Sequence, residues 1–264
     1  MWQLQNRVTA LVSVVLVTGI FIPPMAVHGQ QDELRWQLPP ERWLDEMPRE
    51  VDRRPTLPEY LAEMSWKTLP EEVLLIAGSA TAWRWNEEQW FSDFRAVNRG
   101  FGGSRIDDTT HFIDQIILPY QPSTILFYAG DNDLWARKPV DVTIRHFKEF
   151  TEKIRAALPE TQIVFVSIRP SISRWEIWQA MQEANRGIIA IIDADPNLHY
   201  ADIVPVMLGA DGRPRRELLI ADDLHLTPLG YREWGGVVKP IIYAAEERYR
   251  RLKGCDRWGC GALR

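Results

Sequence analysis

Hydrophobic positions fall into short continuous blocks that alternate with longer amphipathic stretches from residue 71 onward. Val73-Leu74-Leu75-Ile76, Ser123 to Tyr128 and Gln162 to Ser167 are apolar runs of strand length, and Ala96-Val97 and Leu198-His199-Tyr200 are shorter ones. Between them the period changes. Asp107 to Leu118 places Ile113, Ile116 and Ile117 at helical spacing, and Val140 to Leu158 puts Val140, Ile144, Phe147, Phe150 and Ile154 on one face. Trp175 to Ile192 reads as a further helix, and Thr227-Pro228 opens the last one with a cap and a proline at its first position. Buried strands alternating with amphipathic helices predict a mostly parallel sheet covered on both faces, a three-layer α/β/α sandwich of flavodoxin-like type.

The first seventy residues do not share this pattern. Arg7 precedes an apolar run from Val8 to Ile22, followed by Pro23, Pro24 and small residues up to Gly29. That order is the one expected of a secretory signal peptide, with the cut after Gly29. The run is shorter than the roughly 20 residues a membrane-spanning helix needs, although a retained anchor is the alternative. Residues 30–70 are Pro-rich, with Pro39, Pro40, Pro48, Pro55 and Pro58 against any long helix, and read as an extension with Trp36, Trp43 and Trp66 as anchors. The expected organisation is therefore a signal at 1–29, an extension at 30–70, a catalytic-type domain at 71–250 and a tail at 251–264. The expected location is secreted or periplasmic, with no stable membrane insertion once the signal is removed.

The formal net charge of −5 argues against nucleic acid as a partner. Cys255 and Cys260 lie five apart among glycines, a spacing that permits a small disulfide loop in an oxidising compartment, with two free thiols as the alternative.

In a parallel sheet the chemistry gathers at the carboxyl ends of the strands. Four segments there carry unusual residues. Ile76-Ala77-Gly78-Ser79-Ala80-Thr81 places a serine among small residues at a strand-to-helix turn, which reads alone as a helix cap or as a projecting hydroxyl. Asn98-Arg99-Gly100-Phe101-Gly102-Gly103-Ser104 allows close backbone approach, or simply a tight turn. Gly130-Asp131-Asn132-Asp133 can aim the Asn132 amide into a cleft or form an Asx turn, and it lacks the further ligands of a calcium loop. Asp222-Asp223-Leu224-His225 spaces a carboxylate and an imidazole so that they share one turn. The other histidines have no such acidic partner in sequence.

Taken together and in this order, the segments resemble the SGNH hydrolase superfamily, or GDSL-type esterases and lipases, over roughly residues 71–243. Gly103 matches its second block, Asn132 in G-D-N-D its third, and Asp222 with His225 in D-D-L-H-L-T its fifth. The resemblance implies a serine esterase acting on an acetylated carbohydrate or short-chain acyl ester, with catalytic Ser79, Asp222 and His225. It also implies an oxyanion hole from Ser79, Gly103 and Asn132, and needs no cofactor or metal. The first block departs from the family's G-D-S. Ala77-Gly78-Ser79 in that place makes Ser79 the nucleophile. Gly78-Ser79-Ala80 puts Ala80 there instead, and implies a non-catalytic binding protein for a glycan or acyl ligand. Trp83, Trp85, Trp135 and Trp175 lie near the strand ends, where they either stack a substrate or pack the core and rim.

Overall fold

The computed structural model describes residues 69–255 and 260–263; the expected signal peptide and most of the Pro-rich extension lie outside them. Five strands form one parallel sheet: β1 (Leu74–Gly78), β2 (Ala96–Asn98), β3 (Thr124–Tyr128), β4 (Gln162–Val166) and β5 (Leu198–Ala201). Their spatial order is β2-β1-β3-β4-β5. The register sets Gly78 beside Tyr128 and Val166 beside Ala201, so the strand ends that precede the chemistry-bearing turns are aligned.

The three central strands β1, β3 and β4 are buried on both faces, and alternation divides their side chains between two cores. Leu75, Ala77, Ile125, Phe127, Ile163 and Phe165 join α3 (Ile106–His111), α6 (Val140–Ala157) and α7 (Trp178–Ile192) on one face. Leu74, Ile76, Leu126, Tyr128, Val164 and Val166 meet α9 (Pro228–Lys253) on the other. Short helices α1 (Ala80–Trp83), α2 (Glu87–Trp90), α4 (Ile113–Ile116), α5 (Asp131–Trp135) and α8 (Val204–Met207) fill the connections. The fold is the three-layer α/β/α sandwich that the pattern of apolar runs predicts.

Two expected helices are broken. The stretch 107–118 divides at Phe112 into α3 and α4, and gives way to a 3₁₀ turn at Leu118–Tyr120, where Pro119 cannot continue an α-helical hydrogen-bond ladder. The stretch 175–192 begins with a 3₁₀ turn at Trp175–Ile177 before α7. At α9 the Thr227 hydroxyl accepts from Gly230 N–H at 3.2 Å, the cap its sequence announces.

The C-terminal tail packs onto this second face. Cys255 and Cys260 are joined in a disulfide. Beyond it, Ala262 N–H donates to Glu246 at 2.8 Å, and Ser123 Oγ donates to the other carboxylate oxygen at 2.7 Å. Glu246 is fully buried, and that burial raises its pKa above the ordinary carboxylate value. Replacing Glu246 with Ala would leave both donors without their acceptor and open a cavity. The expected loss is about 2–4 kcal/mol of unfolding free energy, read from the midpoint of a urea titration.

Candidate active site

The turn after β1 is constrained by its glycine. Gly78 has φ +117°, and a Cβ there would lie 1.9 Å from the Tyr128 carbonyl oxygen. No other residue lets β1 and β3 approach so closely at their ends. Ser79 follows, 2% exposed, in extended conformation at the N-cap position of α1. Its hydroxyl does not cap the helix and makes no hydrogen bond among the described residues, which removes the helix-cap reading. Its N–H donates to the Tyr128 carbonyl at 2.9 Å. That commitment corrects one expectation: the Ser79 amide is spent on the β1–β3 junction and is not an oxyanion donor. The N–H that opens the helix is that of Ala80, which has no acceptor among the described residues. Ala80 is also the more exposed of the two.

The glycine-rich segment after β2 folds against this turn. Phe101 N–H donates to the Gly78 carbonyl at 3.0 Å. A Cβ on Gly100 would come within 2.6 Å of Trp83 N, so the loop lies directly on α1. Asn98 binds the two together: its amide nitrogen donates to the carbonyls of Ala82, Trp83 and Trp85 at 2.8, 3.2 and 2.9 Å, and its oxygen accepts from Gly100 N–H at 2.9 Å. Gly103, at φ +67°, ends the loop in left-handed conformation.

Asn132 lies in α5 and reaches this loop. Its Nδ2 donates to the Ser104 carbonyl at 2.9 Å, leaving its second amide hydrogen for another acceptor, while its Oδ1 accepts from Arg174 at 2.9 Å. Arg174 also holds Asp131 at 3.0 Å. The guanidinium therefore fixes which end of the Asn132 amide is the donor.

The Asp222–His225 turn forms as its spacing implies. His225 Nδ1 lies 2.6 Å from Asp222 Oδ2, and Asp222 Oδ1 accepts from the N–H groups of Leu224 and His225, both at 2.9 Å. The carboxylate thereby orients the ring and leaves Nε2 as the basic nitrogen. Burial, the largest influence, drives the His225 pKa below its ordinary value. Asp222 opposes the shift, and the charges of Arg84 and Arg169 reinforce it. For Asp222, burial would raise the pKa, but the bonds from His225 and Leu224 outweigh it and hold the carboxyl below the usual range.

Arg169, from the turn after β4, links this loop to the first one. It is 1% exposed, donates to the Leu224 carbonyl at 2.6 Å and reaches Thr81 Oγ1 at 3.3 Å. Its guanidinium carbon lies 5.9 Å from the Tyr128 ring centre and 5.7 Å from that of Trp234, so aromatic faces compensate a cation that has no carboxylate partner among the described residues. Hydrogen bonds thus connect the four segments through Phe101–Gly78, Asn132–Ser104 and Arg169–Leu224. Among the described residues Ser79 and His225 are not hydrogen-bonded to each other.

Sequence reasoning assigned no role to Asn98, Arg169 or Arg174. For Arg169 a signal existed: an arginine three residues past the end of a buried strand, at the edge where function collects. The tryptophans divide. Trp85 is fully buried against Phe91, Tyr231 and Trp234, and Trp83 is nearly so, which places both in the core. Trp135 is 43% exposed, with Arg174 5.4 Å from its ring centre, and Trp175 is half-buried beneath Arg213 at 5.0 Å.

The GDSL-like Lipase/Acylhydrolase family matches residues 73–233, more than half of the chain. The chain belongs to that family. This GDSL-like protein has no match among curated proteins. It is similar in fold to a GDSL-like lipase from Bacteroides thetaiotaomicron at 20% identity and TM-score 0.62, over 72% of this chain and 98% of that one. A carbohydrate esterase family 3 protein from Talaromyces cellulolyticus aligns at 17% identity and TM-score 0.52, over 66% and 97%. The OSK domain of Drosophila Oskar aligns at 12% and 0.55, over 68% and 94%. At these identities the likeness is one of fold. Family membership makes an acylhydrolase the activity class to which the GDSL-like site belongs, and the roles of its residues rest on their chemistry.

Proposed function

We propose that this GDSL-like protein is a secreted or periplasmic serine esterase that hydrolyses a short acyl ester, including acetyl groups on carbohydrate, with His225 as its base. The observation that carries the reading is the 2.6 Å contact between Asp222 and His225, a preset imidazole on a family fold that uses one. In the proposed reaction His225 Nε2 takes the proton of Ser79 Oγ as the hydroxyl attacks the ester carbonyl. Asp222 stabilises the imidazolium that forms. The reading assigns Ala80 N–H, the second amide hydrogen of Asn132 and Gly103 to the developing oxyanion; one such donor contributes about 2.7–4 kcal/mol. His225 then protonates the leaving alcohol, and water attacks the acyl-enzyme by the same route. No metal or cofactor enters these steps. The export reading rests on the Arg7-to-Gly29 pattern, and the Cys255–Cys260 disulfide supports an oxidising compartment. Among the described residues no helix is long and apolar enough to cross a membrane.

A second reading is favoured by a specific observation at the same turn. Ser79 is buried with its amide spent, and Ala80 opens α1. A methyl group at the head of that helix leaves a fold that binds an acyl or glycan ligand without cleaving it.

p-Nitrophenyl acetate turnover by the purified chain, measured from pH 4 to 9, separates the two. The esterase gives an acid limb in kcat/KM below the ordinary histidine value of 6.5, because burial lowers the His225 pKa and only the neutral ring accepts a proton. Activity is therefore full above that limb and lost as pH falls through it. A flat zero across the range in folded protein turns the preference to the binding reading.

A further inference from the structure

Away from the Ser79–His225 region, three elements bring metal-type ligands to one point. Asp107 comes from the first turn of α3, Asp133 from α5 and His146 from α6. Their ligand atoms all lie within 4.8 Å of one another. His146 Nδ1 is 3.6 Å from Asp133 Oδ1 and 3.9 Å from Asp107 Oδ1. These three atoms are buried and have no hydrogen-bond partner among the described residues, and Asp133 is fully buried. The sequence reading gave His146 no acidic partner and Asp133 no further ligands, because those partners lie on other elements.

We propose that Asp107, Asp133 and His146 form a binding site for a zinc-class divalent cation. The spacings are too long for hydrogen bonds, which lie at about 2.7–3.2 Å. They approach the edge of a tetrahedral site, about 3.4 Å when metal–ligand bonds are about 2.0–2.1 Å. The second oxygen of each carboxylate is already engaged. Asp107 Oδ2 accepts from Lys138 at 2.6 Å and Asp133 Oδ2 from Ile106 N–H at 3.1 Å. Each carboxylate therefore presents one oxygen to the shared point, oriented by an outer partner as metal-binding carboxylates are. One imidazole nitrogen with two carboxylate oxygens suits zinc better than calcium or magnesium, which take all-oxygen shells. Two acidic charges match a divalent ion, and Lys138 offsets one of them. Asp107 and His146 side chains are 19% and 14% exposed, so a water completes the fourth position from that side. The ion would fasten α3 and α6 to α5, the helix that carries Asn132.

The alternative occupant of this point is a proton: His146 charged between the two carboxylates, as an ion pair only. Tag-free, EDTA-treated protein titrated with zinc chloride without reductant decides between them by calorimetry, thermal melting and NMR of the histidine ring. The proposal expects one equivalent bound at pH 7.5. It also expects a rise in Tm of about 5–10 °C at free zinc about a hundredfold above Kd. Binding is expected to weaken as the pH is lowered, because the ligand atoms hold a metal only when deprotonated. His146→Leu and Asp107→Asn each abolish the equivalent, and His225→Ala retains it. Two variants guard against a folding failure in either. Absence of a stoichiometric site, binding undiminished in both variants, or binding lost in His225→Ala overturns the proposal. A His146 ring that stays protonated through neutral pH and ignores zinc establishes the ion pair only.

Discussion

Ser79→Ala is expected to abolish ester turnover while leaving the melting temperature within a degree or two of the wild type. The hydroxyl makes no hydrogen bond among the described residues, so its removal costs little packing and breaks no cap. Removing a nucleophile of this kind costs on the order of 10⁶-fold in kcat. His225→Ala is expected to lose a similar factor, since the serine is unreactive without its base, and the two changes together are expected to cost no more than either alone. A fluorophosphonate probe reads the same chemistry directly, because it labels only a serine activated by its base. Labelling of wild type that disappears in both variants supports Ser79 as nucleophile. Labelling that persists in Ser79→Ala excludes it. Gain of labelling only in Ala80→Ser identifies the head of α1 as the place where the family's hydroxyl is missing.

Among the described glycines, Gly78→Ala is expected to be the methyl addition with the largest effect on folding. The new Cβ would stand 1.9 Å from the Tyr128 carbonyl oxygen and 2.7 Å from its carbon, both backbone atoms that cannot rotate away. The residue would also have to hold φ +117°, a region that side chains rarely adopt and that costs about 1–3 kcal/mol by strain alone. Relief requires β1 and β3 to separate at their ends, which breaks the bond from Ser79 N–H to the Tyr128 carbonyl. A total above about 4 kcal/mol follows, enough to leave little folded protein. Soluble expression and urea unfolding measure it. A Gly78→Ala protein within about 1 kcal/mol of wild type would mean that the two strand ends are not in contact.

Much of the architecture was legible in advance for a simple reason. A parallel strand covered on both faces must be apolar throughout, so Leu74–Gly78, Thr124–Tyr128 and Gln162–Val166 announce themselves as unbroken runs. The cap at Thr227 and the Asp222–His225 pair were equally visible, because their partners lie within three residues and local geometry alone brings them together. Pro119 marked the break after α4, although the 3.6-residue spacing concealed it.

The tertiary structure decided everything that depends on distant partners. Whether Ser79 N–H points to a ligand or to the sheet rests on the Tyr128 carbonyl, 49 positions away, and the strand pairing gave it to the sheet. The orientation of the Asn132 amide is set by Arg174, and the hold on the His225 loop by Arg169, neither of which carries a recognisable spacing to the residue it serves. His146 gained two carboxylates only when α3, α5 and α6 packed together. Composition and periodicity report which face of an element is buried. They carry no record of which buried polar group meets which, because such pairs are made by the docking of elements and not by the order of residues within them.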